Sequence, residues 1–134
     1  GWCVGAKAQT IKQLKKPVNS LERVHDYHFK WRSYVNNQLK TKYNILFKQL
    51  DGLLYLKAKN FNLLRNWRLK QERKLWVKTK NRKNLKIMSS GDVINFMQTY
   101  QRITQQMLKD SIKSSTIIMK LNNNHQIQNI KFKK

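Results

Sequence analysis

Apolar residues return every three or four positions along three stretches of this chain, and shorter apolar runs separate them. The longest stretch opens near Ser20, a good N-cap, with Glu22 placed to suit the helix dipole. From there Leu21, Val24, Tyr27, Trp31, Tyr34, Val35, Leu39, Tyr43, Leu46 and Phe47 predict one face of a long helix, ended by Asp51-Gly52. That aromatic stripe is expected in the core, because side chains that stack bases must lie exposed in a basic groove. Residues 1–18 read as a strand end and a loop, with Pro17 outside any helix interior. Leu53-Leu54-Tyr55-Leu56 is apolar without alternation, the pattern of a strand covered on both faces.

Asn60 caps a second helix, from about Phe61 to Lys78. On it Leu64, Trp67, Gln71 and Leu75 form one stripe, and Arg65, Arg68 and Glu72 a neighbouring one. Thr79 to Ile87, with Lys80, Arg82, Lys83 and Lys86, reads as a basic connecting loop. Ser89 and Asp92 have capping-box spacing, and Val93, Phe96, Met97, Tyr100, Ile103, Met107 and Leu108 predict a third helix to near Lys109. Thr116–Leu121 and His125–Phe132 flank Asn122-Asn123-Asn124 and predict a β-hairpin. The order helix, buried strand, helix points to an α/β layered fold in one domain, residues 1–134.

Charge adds a question to this picture. The net charge is +23, with a pI near 10.5, and two explanations stand beside each other. One is a polyanionic partner, such as nucleic acid. The other is compositional drift, since the excess is mostly Lys and is accompanied by many Asn and Ile. The basic residues are spread along the chain, without a helix-turn-helix, zinc-finger or RNA-recognition signature, so a basic nucleic-acid-binding protein is the second choice. Cys3 stands alone, which excludes an internal disulfide and a cysteine metal cluster. His25 and His28, with Glu22 and Asp26 nearby, match no recognised ligand spacing, so no metal site is assigned. No run approaches the length of a membrane span and the start has no h-region, so no membrane partner and a cytoplasmic location are expected.

Four short motifs occur in a telling order. Gly1-Trp2-Cys3-Val4-Gly5 opens the chain, and Leu50-Asp51 precedes the apolar strand. Trp67-Arg68-x-x-Gln71-Glu72 follows, then Met88-Ser89 before a helix carrying Phe96 and Tyr100-Gln101-Arg102. Together with the closing hairpin they resemble the glycerate-kinase-like P-loop kinases over essentially the whole chain. The resemblance implies a doubly wound parallel sheet whose helix-rich C-terminal half ends in a β-hairpin. It also implies ATP and Mg2+ as cofactors, and a small hydroxyl substrate such as D-glycerate.

One departure redirects that reading. A phosphate cradle needs Gly-x-x-x-x-Gly-Lys-Ser/Thr, and the four glycines, Gly1, Gly5, Gly52 and Gly91, do not have that spacing. The expectation is therefore the C-terminal part of such a kinase, inactive alone, whose P-loop half is a missing partner. Arg68 is the expected catalytic residue, since charge on a transferring phosphoryl group calls for a cation. Arg65, Arg68, Gln71 and Glu72 are expected on a nucleotide-side lid, and Trp2 and Arg102 at the acceptor pocket. Without the resemblance, Arg68 and Glu72 read as a surface ion pair worth only a few tenths of a kcal/mol.

Overall fold

The computed structural model describes residues 2–79 and 87–132, with side chains at 111–113 left aside. Two short helices, α1 (Ile11–Lys15) and α2 (Ser20–Val24), lead into α3 (Lys30–Gln38), a π-helical turn (Leu39–Tyr43) and α4 (Asn44–Phe47). Strand β1 (Leu54–Lys57) is followed by two long helices, α5 (Phe61–Thr79) and α6 (Ser90–Ser114). The chain closes with β2 (Ile117–Leu121) and β3 (Ile127–Phe132). The sheet order is β1-β2-β3, with β1 parallel to β2 and β3 antiparallel to it. The expected α/β class and the closing hairpin are present, in a three-stranded mixed sheet. The basic stretch at 80–86, Gly1 of the first motif and the tail at 133–134 lie outside the described residues.

The predicted long helix is broken between α2 and α3, and of its predicted face only Val35, Leu39 and Phe47 reach the core cluster, while most of the aromatic stripe does not. Val24, Tyr27, Trp31, Tyr34 and Leu46 are all more than half exposed. Two local features explain this. First, the carboxylate of Asp26 accepts the backbone N–H groups of Trp31 (2.9 Å) and Arg32 (3.1 Å), while Phe29 takes φ 47°, so the chain turns between α2 and α3. An Asp side chain that binds nearby N–H groups competes with helix continuation. Second, the π turn carries an extra residue, which rotates the following side chains by about 100° from their expected face. The part of the stripe that is buried centres on Leu39, which packs with Ala6, Ile103 and Met107, flanked by Cys3, Val35, Phe47 and Tyr55.

The N-terminal loop contains a helix that the apolar pattern does not announce. Thr10 and Gln13 form a full capping box at the start of α1, and Leu14 goes into the core. Five-residue helices leave most of their terminal carbonyls without helical partners. Two buried arginines supply them. Arg32 donates to the carbonyls of Leu14 (2.7 Å), Glu22 (3.1 Å) and Asp26 (2.6 Å) and pairs with the Asp26 carboxylate at 3.1 Å. Arg102, on α6, donates to the carbonyls of Gln13 (3.1 Å) and Lys16 (2.6 Å). The N-cap of α2 is Asn19, one residue before the expected Ser20. Asn19 and Ser20 both bind α6, through Gln98 and Gln101.

Gly5 is the one described glycine with positive φ, at 81°, and a Cβ there would lie 2.6 Å from a Leu53 methyl. Gly5→Ala is expected to destabilise the fold by about 1–3 kcal/mol, through left-handed strain and displacement of Leu53. Gly91 sits in the first turn of α6, where an added Cβ would meet only Ser89 Oγ at an ordinary 3.7 Å, so Gly91→Ala is expected to stabilise by about 0.5–1 kcal/mol. Urea midpoints that move in the same direction for both would refute this contrast.

At the start of α6 the expected capping box is complete. Ser89 Oγ accepts from Asp92 N (3.1 Å), and Asp92 Oδ2 accepts from Ser89 N (3.0 Å) and Oγ (2.7 Å). The Ser89 hydroxyl, then its N–H, hold the Asp92 carboxyl below its ordinary value of 3.8. A depressed carboxyl contributes stability that is present above 3.8 and lost as pH falls through the lower folded value. An NMR titration of Asp92 should show a midpoint below 3.8, and Ser89→Ala should return it upwards.

Strand β1 is shifted by one residue from its expected position and is covered on one side only. Tyr55 faces the core, whereas Leu54 and Leu56 are about half exposed. The double burial read from its unbroken apolar run is therefore not found. Helix α6 runs five residues beyond its expected end at Lys109, to Ser114, and connects directly to β2.

Candidate functional site

Helices α5 and α6 pack side by side and bring three separately recognised motifs into one row. Arg68 projects from α5 and lies 6.0 Å from the centre of the Phe96 ring on α6. Phe96 meets Tyr100 edge-on at 4.8 Å, and Tyr100 meets Trp2 edge-on, also at 4.8 Å. Spacings of this kind are the favoured geometry of aromatic pairs. Trp2, on the opening turn, is about half exposed, so the row ends at the surface.

Arg68 is held from its own helix. Its Nη1 donates to Gln71 Oε1 at 2.9 Å, and its Nη2 pairs with Glu72 Oε1 at 2.5 Å. Glu72 is buried although charged, and its other oxygen accepts the backbone N–H of Met88 at 3.3 Å. The carboxylate thus ties α5 to the residues that lead into α6. The Nε of Arg68 is buried and has no partner among the described residues. Arg65, one turn earlier on α5, is half-buried. The structure therefore gathers Trp2, Arg68, Gln71 and Glu72 in one place, together with Phe96 and Tyr100.

Arg102 lies elsewhere. It forms a bidentate pair with Glu22 (2.7 and 2.6 Å), with Gln9 Oε1 and the carbonyls of Gln13 and Lys16 taking its remaining donors. All five guanidinium N–H groups are engaged within the protein, and the side chain is buried. In this arrangement Arg102 joins α1 and α2 to α6 and has no donor left over for a ligand.

A second feature was not singled out in the sequence. The C-terminal ends of β1 and β2 open into a groove of about 600 Å3, lined by Lys57, Lys59, Lys120, Asn122 and Asn124 among others. Lys57 and Lys120 are register partners on the two parallel strands, so their ammonium groups share one side of the sheet. Ligands of open α/β sheets bind beyond the carboxyl ends of the strands. Trp67 connects the groove to the Arg68 row: its Nε1 donates to the carbonyl of Asn123 at 2.8 Å, and its ring lies 3.8 Å from that of His125. The missed signal was Lys57-x-Lys59, placed just past an apolar strand.

The residues present differ in their fit to the two implied cofactors. The lysine-lined groove and the Arg68 guanidinium suit the phosphates of a nucleotide. No three of the His, Cys, Asp and Glu side chains converge on one point among the described residues. No described helix is long and apolar enough to cross a membrane.

No protein-family model matches this chain, and no protein of curated function matches it either. A solved structure does: the D-glycerate 3-kinase from Cryptococcus neoformans var. grubii superposes with a TM-score of 0.74 at 18% identity. The match covers 99% of this chain and 48% of that one, so the chain spans about half the length of the enzyme it resembles. At this identity the likeness shows the fold alone: a kinase-like α/β arrangement.

Proposed function

We propose that this chain is the C-terminal part of an ATP-dependent small-molecule kinase acting on D-glycerate or a similar hydroxyl substrate, within a doubly wound P-loop fold. The observation that carries the reading is the convergence of Trp2, Tyr100, Phe96 and Arg68 beside a groove lined by Lys57, Lys59 and Lys120. In this proposal the lysines bind the nucleotide phosphates. Arg68, oriented by Gln71 and Glu72, presents its guanidinium to the charge that builds on the transferring phosphoryl group. Arg65 adds positive potential from the preceding turn of α5, and Trp2 borders the acceptor. The sequence has no Gly-x-x-x-x-Gly-Lys-Ser/Thr cradle, so in this proposal other polypeptide supplies the phosphate loop and this part alone is inactive.

The direct test joins the chain to a P-loop half and follows ATP-dependent phosphorylation of D-glycerate. Turnover by the joined protein and none by either half is the expected result. A folded, nucleotide-binding joined protein that phosphorylates neither D-glycerate nor related hydroxy acids would refute the substrate class.

A second reading has its own observation. Tyr27, Trp31 and Tyr34 are exposed, Trp31 and Tyr34 stack at 5.7 Å, and Arg23, Lys30, Lys40 and Lys42 lie along the same helices. Aromatic rings exposed among basic residues are what a single-stranded nucleic-acid binder presents. Quenching of Trp31 fluorescence by an oligonucleotide at physiological salt decides between the two. Binding no tighter than about 1 mM would sink this reading.

A further inference from the structure

We propose that a cavity between α2, α3 and α6 is a small-molecule site in its own right, and that it takes a neutral aromatic ring carrying a carboxamide or lactam. The cavity measures about 280 Å3, close to the lower end of the range of about 300–1,000 Å3 that small-molecule sites occupy. Leu14, Leu21, Val35, Leu39 and Ile103 form its apolar wall, and Trp31, 66% exposed, borders its opening. The cavity is separate from the Arg68 row. Gln98, Arg102 and Gln106 recur every fourth residue along α6 and line it, whereas Phe96 and Tyr100 belong to the row. Residues two apart on a helix point about 200° from each other, so the cavity lies on the opposite flank of α6.

Arg32 and Gln106 both keep hydrogen-bonding capacity in this cavity that the protein does not use. Arg32 is 5% exposed, and its Nε and Nη1 are committed to the carbonyls of Leu14, Glu22 and Asp26 and to the Asp26 carboxylate. Its Nη2 makes no hydrogen bond among the described residues, yet it is not sealed off, so two N–H groups remain for whatever fills the cavity. Gln106 is half-buried, and its carboxamide likewise makes no hydrogen bond among the described residues. Polar groups at such depth are met by a ligand or by ordered water.

Charge and hydrogen-bond pattern select the ligand. The four fully ionised side chains of the lining balance one another, Arg32 with Asp26 and Arg102 with Glu22. An anion placed here meets two carboxylates and a cation meets two guanidinium groups, so a neutral molecule is favoured. The free N–H groups of Arg32 call for an acceptor, such as a carbonyl oxygen. Gln106 offers an acceptor and a donor together, which a second amide group answers with its own N–H and C=O. A carboxamide or lactam supplies both partners from one group. Trp31, already stacked on Tyr34 at 5.7 Å, adds an aromatic surface against which a planar ring packs.

The test is a calorimetric titration of the whole chain with three probes of similar shape: nicotinamide, nicotinate and 3-methylpyridine. Salt near 0.15 M keeps the net charge of +23 from drawing in nicotinate from a distance. Nicotinamide should bind 1:1 with a Kd of about 1 mM or tighter, as a well-seated ligand of this size does. Nicotinate, which replaces the amide by a carboxylate, and 3-methylpyridine, which lacks the carbonyl, should each bind at least about tenfold more weakly. Gln106→Leu and Trp31→Ala should each weaken nicotinamide about fivefold or more, with circular dichroism and urea midpoint at their parental values. Arg32 is tied too deeply into the fold for a clean variant, so the carbonyl-free probe reports on it instead. Nicotinate binding as tightly as nicotinamide would overturn the proposal in favour of an anion site. Equal binding of 3-methylpyridine would reduce the cavity to an apolar hole and overturn it as well. It is equally overturned by a nicotinamide Kd weaker than about 10 mM, or by binding that both variants leave unchanged.

Discussion

Arg102→Met is expected to destabilise the chain by about 3–5 kcal/mol, the cost of leaving one member of a buried ion pair without its partner. The loss concentrates at one point because Arg102 and Glu22 close a network across three helices. Glu22 accepts both forks of Arg102, its Oε2 also accepts the backbone N–H of Val18 (2.9 Å), and its carbonyl accepts from Arg32. Removing the guanidinium also strands the carbonyls of Gln13 and Lys16, which end α1. Single domains are stable by only about 5–15 kcal/mol, so this change takes a large share of the total. At about 1–3 kcal/mol per molar, the urea midpoint should fall by at least about 1 M. The partner change Glu22→Gln should also destabilise, and the double variant should lose less than the sum of the two, with a coupling of about 1–3 kcal/mol. Additive losses, or an Arg102→Met midpoint close to that of the parent, would show that the network does not hold α1 and α2 to α6.

That network marks where sequence reading succeeded and where it stopped. Glu22 was legible as a first-turn acid, because local dipole rules need only the position along the helix. Its burial against Arg102, 80 residues away, was not, since a long-range pair leaves no periodic trace. Arg102 for the same reason looked available for a ligand. Helices α5 and α6 and the closing hairpin were readable because caps, apolar spacing and turn residues agree there. The stripe from Leu21 to Phe47 held at Val35, Leu39 and Phe47 and misled elsewhere, because Asp26 and the π turn each reset the helical register and neither event alters hydrophobic periodicity. The apolar run at Leu53–Leu56 suggested double burial, because an unbroken apolar run does not say which face lies open, and Leu54 and Leu56 are about half exposed. The motifs themselves were legible one by one. Their meeting across Phe96 and Tyr100 depends on how α5 packs against α6, which only the fold supplies.

If the proposed function holds, Arg68→Ala in the joined protein is expected to lower kcat about 10²–10³-fold, the effect of removing one charged donor from a group that develops negative charge. The static picture makes Arg68 look satisfied, since Gln71 and Glu72 hold two of its nitrogens. Yet its Nε is buried without an acceptor among the described residues, and a donor in that state costs about 1–3 kcal/mol. An anion that reached this nitrogen would relieve the penalty. Under the proposed function Glu72 is a positioning residue. It is buried, fixed by the Met88 N–H, and keeps the fork of Arg68 aimed along α5. Arg68→Lys should keep a charge against Glu72 and leave stability within about 1 kcal/mol, yet recover only part of the rate, because an ammonium lacks the planar fork. Glu72→Gln should weaken positioning while keeping the cation, so kcat should fall less than in Arg68→Ala. Added guanidinium should partly restore turnover to Arg68→Ala, a rescue that a purely structural role would not produce. An unchanged kcat in Arg68→Ala would remove this residue from the chemistry and return the Arg68–Glu72 contact to an ion pair between neighbouring helical turns.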